Sequence, residues 1–219
     1  MAGDHFQSSG IEAAPQPASA FFNSPGGQWL KAVLFGLIYF ACAQGGSLLS
    51  LQKDTYVGFW IPTGIYLAVL LLNERRAWPS LVLAAAAANA AFDALHGTPP
   101  IAILLFCLGN ALHAVGSALL IQRFISSRIT LSTLKELGGL LFIGAIVGTA
   151  VGAAIGAAAL VATGVSKSFL SSFRVWWGSC AMAVLIFTPF VLSWFSREKS
   201  TLLKNTPRIV EAGLLAAGT

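Results

Sequence analysis

The chain has 219 residues, of which 56% are hydrophobic and only 10% charged, against about 25% charged in a typical soluble domain. Its mean hydropathy is +0.77. The net charge of +5 is no sign of a nucleic-acid partner, because the basic residues lie between apolar runs, where they set topology.

The first 28 residues are polar and carry Pro15, Pro17, Pro25, Gly26 and Gly27. They read as a flexible tail. No basic stretch precedes a short apolar core with a cleavage site, so this is not a secretory signal peptide. Residues 29–219 then read as one transmembrane domain, because apolar runs of the length a bilayer requires recur along it. No strand-like alternation repeats, which argues against a membrane β-barrel. The fold expected is all-α, a polytopic transmembrane helix bundle of six complete spans and a truncated seventh. The first span runs from Trp29 to Leu51. The second, Val57 to Leu72, is short. The third, Trp78 to Leu95, is rich in alanine. The fourth runs from Pro99 to Phe124, the fifth from Leu137 to Ala162 and the sixth from Phe173 to Phe195. Arg208 to Thr219 is apolar but too short to span, and reads as a helix that continues in a longer protein.

Ten of the 13 basic residues fall on one side of these spans: Lys31, Arg75, Arg76, Arg123, Arg128, Lys135, Arg197, Lys199, Lys204 and Arg208. That side is expected to be cytoplasmic, with the N-terminus.

Within the spans, the residues that stand out are glycines, aromatics and polar side chains. Gly144, Gly148, Gly152 and Gly156 recur every four residues on the fifth span. They share a helix face and let another backbone come close. Packing inside one bundle is the first reading, and the face of a homodimer is the second. The second span opens with Phe59-Trp60-Ile61-Pro62-Thr63-Gly64-Ile65. This is either an interfacial anchor with a helix start or a broken segment lining a cavity. Asn89 and Asp93 lie one turn apart on the third span; Asn110 and His113 share a face of the fourth. Polar groups at membrane depth are expected to hydrogen-bond between helices or to meet a ligand. Asp93 and His96 stand near the outer boundary, where solvent would reach them. Trp176 and Trp177 open the sixth span and Thr188-Pro189 interrupts it, with a kink expected at the proline. Cys42, Cys107 and Cys180 all lie in apolar runs. They form no C-x-x-C pair and no cluster with histidine, so no metal site, disulfide framework or cofactor is indicated. No phosphate-binding loop, nucleophile elbow or zinc-protease helix occurs, so the chain itself is not expected to be an enzyme.

Four places together resemble the first family of bacterial membrane-associated sensor domains. Trp60-Ile61-Pro62-Thr63-Gly64-Ile65 is similar to that family's W-x-P-x-G-[IL] signature, and Arg75-Arg76-Ala77-Trp78-Pro79 to its basic turn followed by W-P. Leu108-Gly109-Asn110-Ala111-Leu112 is similar to its G-N segment, and Trp176-Trp177 with Thr188-Pro189 to its late W-W element and T-P stop. The match covers roughly Trp29 to Thr219. The resemblance implies an eight-helix sensory module of the bacterial inner membrane, set before a histidine kinase or a cyclic-di-GMP enzyme. Two positions depart from the family pattern. Gly178 and Ser179 stand where an acid often follows the W-W element, and His113 stands where a glutamate often follows the G-N asparagine.

The leading expectation is therefore a membrane sensor for a small ligand or a membrane protein partner. Trp60, Pro62, Asn89, Asn110, His113, Trp176 and Trp177 are its candidate contact residues. The alternative is a small transporter or substrate-capturing membrane subunit. A reporter fused after Arg76 is expected to be active in its cytoplasmic form; activity confined to the outer side would reverse the topology.

Overall fold

The structure, a computed structural model, describes residues 25–48 and 59–195. Among the described residues it is all-helical. Helix α1 spans Pro25–Leu48, α2 Ile61–Leu72, α3 Trp78–Leu95, α4 Pro100–Phe124, α5 Leu134–Ala162 and α6 Phe169–Phe195. Five of the six are long and apolar enough to cross a membrane. The exception is α2, whose 12 residues reach only about 18 Å against a hydrocarbon core of about 30 Å. The expected six complete spans thus become five and one shorter apolar helix. The seventh stretch, Arg208 to Thr219, lies outside the described residues, as does most of the expected tail. α1 begins at Pro25, inside the stretch read as tail.

The surface is apolar and the interior mixed, as lipid solvation demands. Leu37, Leu104, Phe142 and Trp194 all face outward, each more than 60% exposed. Inside lie Tyr39, Tyr66, Leu67, Leu70, Ile121 and Leu140, together with Asn89, Asn110, His113, Ser117, Thr149 and Thr188. Alanines of α3 make room for α1, and an added Cβ at Gly36 would lie 3.4 Å from the Ala84 carbonyl oxygen.

The short helix α2 is the most enclosed element, with eight of its 12 residues buried. Its N-terminal turn is fastened to α6. A helix start leaves backbone N–H groups without partners, and in lipid no water is at hand to take them. Here the Trp60 N–H donates to the Ser179 hydroxyl at 2.7 Å, while Pro62 in the first turn has no N–H to satisfy. The Thr63 hydroxyl donates to Cys180 Sγ at 3.4 Å and the Thr188 hydroxyl to the Gly64 carbonyl at 2.8 Å. Between these bonds the two backbones touch. A Cβ on Gly64 would lie 2.2 Å from the Ala183 carbonyl oxygen, well inside contact distance. α6 runs on through Pro189 to Phe195.

The turn from α2 to α3 is closed by Trp78. Its indole N–H is shared between the carbonyls of Leu70 and Asn73, at 3.0 and 3.1 Å. Arg75 lies over the Trp78 ring and donates to the Gln122 side chain at 2.9 Å, which ties this turn to the end of α4.

α5 has three parts. Leu134–Gly139 is capped by the Thr133 hydroxyl, which accepts from the Glu136 N–H. The Glu136 carboxylate in turn accepts from the N–H groups of Thr130 and Ser132. Leu140–Gly148 winds as a π-helix, and Thr149–Ala162 returns to α geometry. π winding is rare, occurs mostly as single-turn bulges inside α-helices and is frequent at functional sites.

Gly64→Ala is expected to lower the thermal stability of the membrane-inserted protein by at least the roughly 1–3 kcal/mol of an overpacked core. The obstacle is backbone, so shortening a neighbouring side chain should not restore it. Unchanged melting of Gly64→Ala in nanodiscs would contradict this packing.

Candidate functional site: a buried polar column

The centre of the polar interior is Asn89. A carboxamide offers two acceptor lone pairs and two N–H donors, and Asn89 uses all four. Its Oδ1 accepts from the Tyr39 hydroxyl of α1 and from Asn110 Nδ2 of α4, each at 3.0 Å. Its Nδ2 donates to Asp93 Oδ2 at 2.6 Å and to Cys107 Sγ at 3.8 Å. One side chain thereby joins α1, α3 and α4 in the interior of the bundle. The partners also fix which way the amide faces, because a flip would set its oxygen against the Asp93 carboxylate oxygen.

Asp93 is buried, not solvated as expected from its position near the helix end. The Asn89 amide and the packing of Phe92 against Trp60, with ring centroids 5.3 Å apart, close that end of α3. His96 does stand exposed, stacked on Phe92.

From Asn110 the column continues down α4. Asn110, His113 and Ser117 succeed one another at spacings of three and four residues, all buried on one face. His113 Nε2 lies 3.2 Å from the Gly144 carbonyl oxygen, and the Ser117 hydroxyl donates to the Ile143 carbonyl at 3.4 Å. From the other side, Trp177 Nε1 of α6 donates to the Ile146 carbonyl at 3.0 Å. Three side chains from two helices thus hold three carbonyls of the π segment. Bonding to a carbonyl as a donor fixes the proton of His113 on Nε2 in this arrangement.

Gly144, Gly148, Gly152 and Gly156 of α5 all turn inward, toward different partners. An added Cβ at Gly144 would meet Leu67 of α2 at 3.1 Å. At Gly148 it would meet the Ser117 hydroxyl at 1.9 Å. At Gly152 it would lie 3.1 Å from the Gly109 carbonyl oxygen, and at Gly156 2.7 Å from the Trp176 ring. These contacts fill the glycine face from within the chain.

The seven candidate contact residues therefore do not converge on one pocket. Asn89 and Asn110 bond directly, and His113 lies one turn further along. Trp60 and Pro62 sit at the start of α2, against α6 and Phe92. Trp176 packs edge-on against Phe106, with centroids 4.7 Å apart, and covers Gly156. Trp177 belongs to the π segment. Two members of the column, Tyr39 and Ser117, were not singled out from sequence, and Cys107 was read only as one of three cysteines in apolar runs. A tyrosine inside an apolar run is the signal that was available for Tyr39, since a buried hydroxyl needs a partner.

Each of the four motifs behind the family resemblance marks a place where elements are joined. The Trp60–Ile65 motif joins α2 to α6. The Arg75–Pro79 motif closes the α2–α3 turn. Gly109-Asn110 provides the α4–α5 backbone contact and the bond to Asn89. Trp176-Trp177 and Thr188 hold α6 to α5 and α2. An all-helical bundle with an apolar exterior and a buried polar column is a multi-pass membrane domain. The profile of the MASE1 family matches residues 31–218, and the chain belongs to that family of membrane-associated sensor domains. No curated protein and no solved structure matches it.

Asn89→Leu is expected to destabilise the domain more than Asn110→Leu. The first strands Tyr39, Asn110 and Asp93 together, and each buried orphan costs about 1–3 kcal/mol. The second removes one bond to a hub that keeps its other partners. Equal melting temperatures for the two variants in nanodiscs would remove Asn89 from the centre of the column.

Proposed function

We propose that this chain is the input half of a receptor in the bacterial inner membrane. It takes up a small ligand or a membrane partner and passes the signal to a cytoplasmic histidine kinase or cyclic-di-GMP enzyme. The family membership carries this reading. The basic-residue distribution supports a cytoplasmic N-terminus. In this reading the short α2 completes a sixth span and Arg208 to Thr219 begins a seventh.

The polar column supplies a physical route. A ligand shifts an equilibrium only by binding two states unequally. The contacts most sensitive to a small displacement are directional bonds in a low-dielectric interior. Asn89 and Asn110 join three helices through such bonds, and the next turn of α4 holds the π segment through His113 and Ser117. A stimulus that repacks the Asn89 cluster moves the α4 face and changes the hold on the π segment. α6, bonded to the same segment by Trp177, then carries the change toward the basic end. Trp60, Pro62 and Trp176 contribute by setting the position of α6 against α2 and α5.

The test uses the full-length protein in native membranes. Replacing Asn110 and His113 with alanine is expected to change basal or stimulated output several-fold while insertion and abundance stay as in the parent. Output and response identical to the parent would remove the column from signalling. A full-length protein that carries no output enzyme and takes up a solute would replace the sensor reading with a transporter.

A further inference from the structure

Among the described residues, two buried side-chain polar atoms have no hydrogen-bond partner: Trp60 Nε1 and the Tyr66 hydroxyl. Tyr66 is buried at the middle of α2. It lines a cavity of about 10 Å³ together with Tyr39, Asn89, Cys107 and Asn110. That is the volume required to admit about one water molecule. A dry cavity of this kind is lined by apolar groups. This one has apolar walls from Val82 and three alanines, but Tyr39, Tyr66 and Asn110 bring groups that donate and accept to it.

The hydrogen-bond inventory shows which groups are open to it. Asn89 has spent both lone pairs and both N–H groups on protein partners, so it cannot serve Tyr66. Tyr39 has donated its only hydroxyl hydrogen to Asn89, and its oxygen keeps the capacity to accept. Asn110 has used one N–H on Asn89, and its carboxamide oxygen is an acceptor. Tyr66 has a hydrogen to give. Its ring stands edge-on to that of Tyr39, with centroids 6.1 Å apart, so the two hydroxyl-bearing rings share one small space.

We propose that the cavity between Tyr66, Tyr39 and Asn110 is a binding site for a single water molecule. The water accepts from the Tyr66 hydroxyl and donates to the Tyr39 oxygen and the Asn110 carboxamide oxygen. Three bonds is the usual complement of a buried water. It satisfies the Tyr66 hydroxyl, which burial would otherwise leave unbonded at a cost. The site also has a place in the architecture. α2 is bonded to α6 through Trp60, Thr63 and Gly64, whereas the Asn89 cluster belongs to α1, α3 and α4. The water adds a polar link between these two groups of helices, deeper in the bundle than the bond from Trp78 of α3 to the Leu70 carbonyl of α2. Its part in signalling rests on the sensory reading above; the site itself does not.

The test is made on this chain in nanodiscs, without any output domain, so that its failure and the failure of the sensory reading stay separate. In water-edited solid-state NMR, magnetisation from water is expected to reach Tyr66 Cζ several-fold faster than the side chain of Leu70, one turn away on the same buried helix. Build-up at Tyr66 no faster than at Leu70 would overturn the site. Thermal melting gives an independent reading. Tyr66→Phe removes the donor to the water and leaves the other bonds in place, so Tm is expected to fall by about 2–4 °C. A Tm that holds or rises on loss of the hydroxyl means that no water was bound to it, and overturns the proposal.

Discussion

The bundle depends on the contact of α2 with α6 at Gly64 and Ala183. Helices in lipid gain little from apolar side chains, which the acyl chains solvate equally well; they gain from close backbone approach and from hydrogen bonds made out of reach of water. At Gly64 both occur together. The missing Cβ lets the Ala183 carbonyl come into contact, and that proximity lets Thr188 reach the Gly64 carbonyl and Ser179 reach the Trp60 N–H. A helix start leaves N–H groups that are costly where water is excluded. Pro62 lacks one and Ser179 answers another. With α2 fixed in this way, Tyr66, Leu67 and Leu70 become the interior against which α1, α4 and α5 assemble.

Polar side chains in this interior divide the work. Thr63, Thr188 and Ser179 satisfy or engage groups on neighbouring helices at the α2–α6 seam. Asn89, by contrast, bonds only to other side chains, and from three helices. Bonds to a backbone fix the height of one helix on another. A saturated side-chain hub couples three helices through one residue. The seam is thus built on backbone groups and the Asn89 cluster on side chains alone.

Much of this was legible in the chain itself, because in a membrane length and apolarity of a run nearly determine the helix. The bounds of α3, α4 and α6 are set by Trp78, Pro100 and Phe195 to within a few residues. α2 was harder: Val57 to Trp60 is as apolar as the helix itself, and only the place of Pro62 marks the true start. The candidate polar residues were visible, but their partners were not. Tyr39 and Asn89 are 50 residues apart, and no local spacing connects them. The same holds for the glycines, whose period was plain and whose opposing atoms lie on three other helices. The π winding of Leu140–Gly148 left no mark, since its composition is that of any apolar helix. It is held by side chains elsewhere, on His113, Ser117 and Trp177. Thr133 and Glu136 did carry a capping-box spacing, which a search for apolar runs passes over.

The crossing of α4 and α5 has a mechanical consequence. Gly109 and Gly152 present their carbonyls to each other's Cα, each about 3.1 Å from where a Cβ would stand. A methyl group at either glycine would press on the opposing carbonyl, so the crossing sets how closely the two helix backbones lie. Toward one end of α4 from this crossing, Phe106 packs on Trp176 of α6; toward the other, His113 and Ser117 bond to the π segment. The spacing that two missing side chains permit at the crossing is therefore what brings the α4 hydrogen-bonding groups within reach of the carbonyls of Ile143 and Gly144.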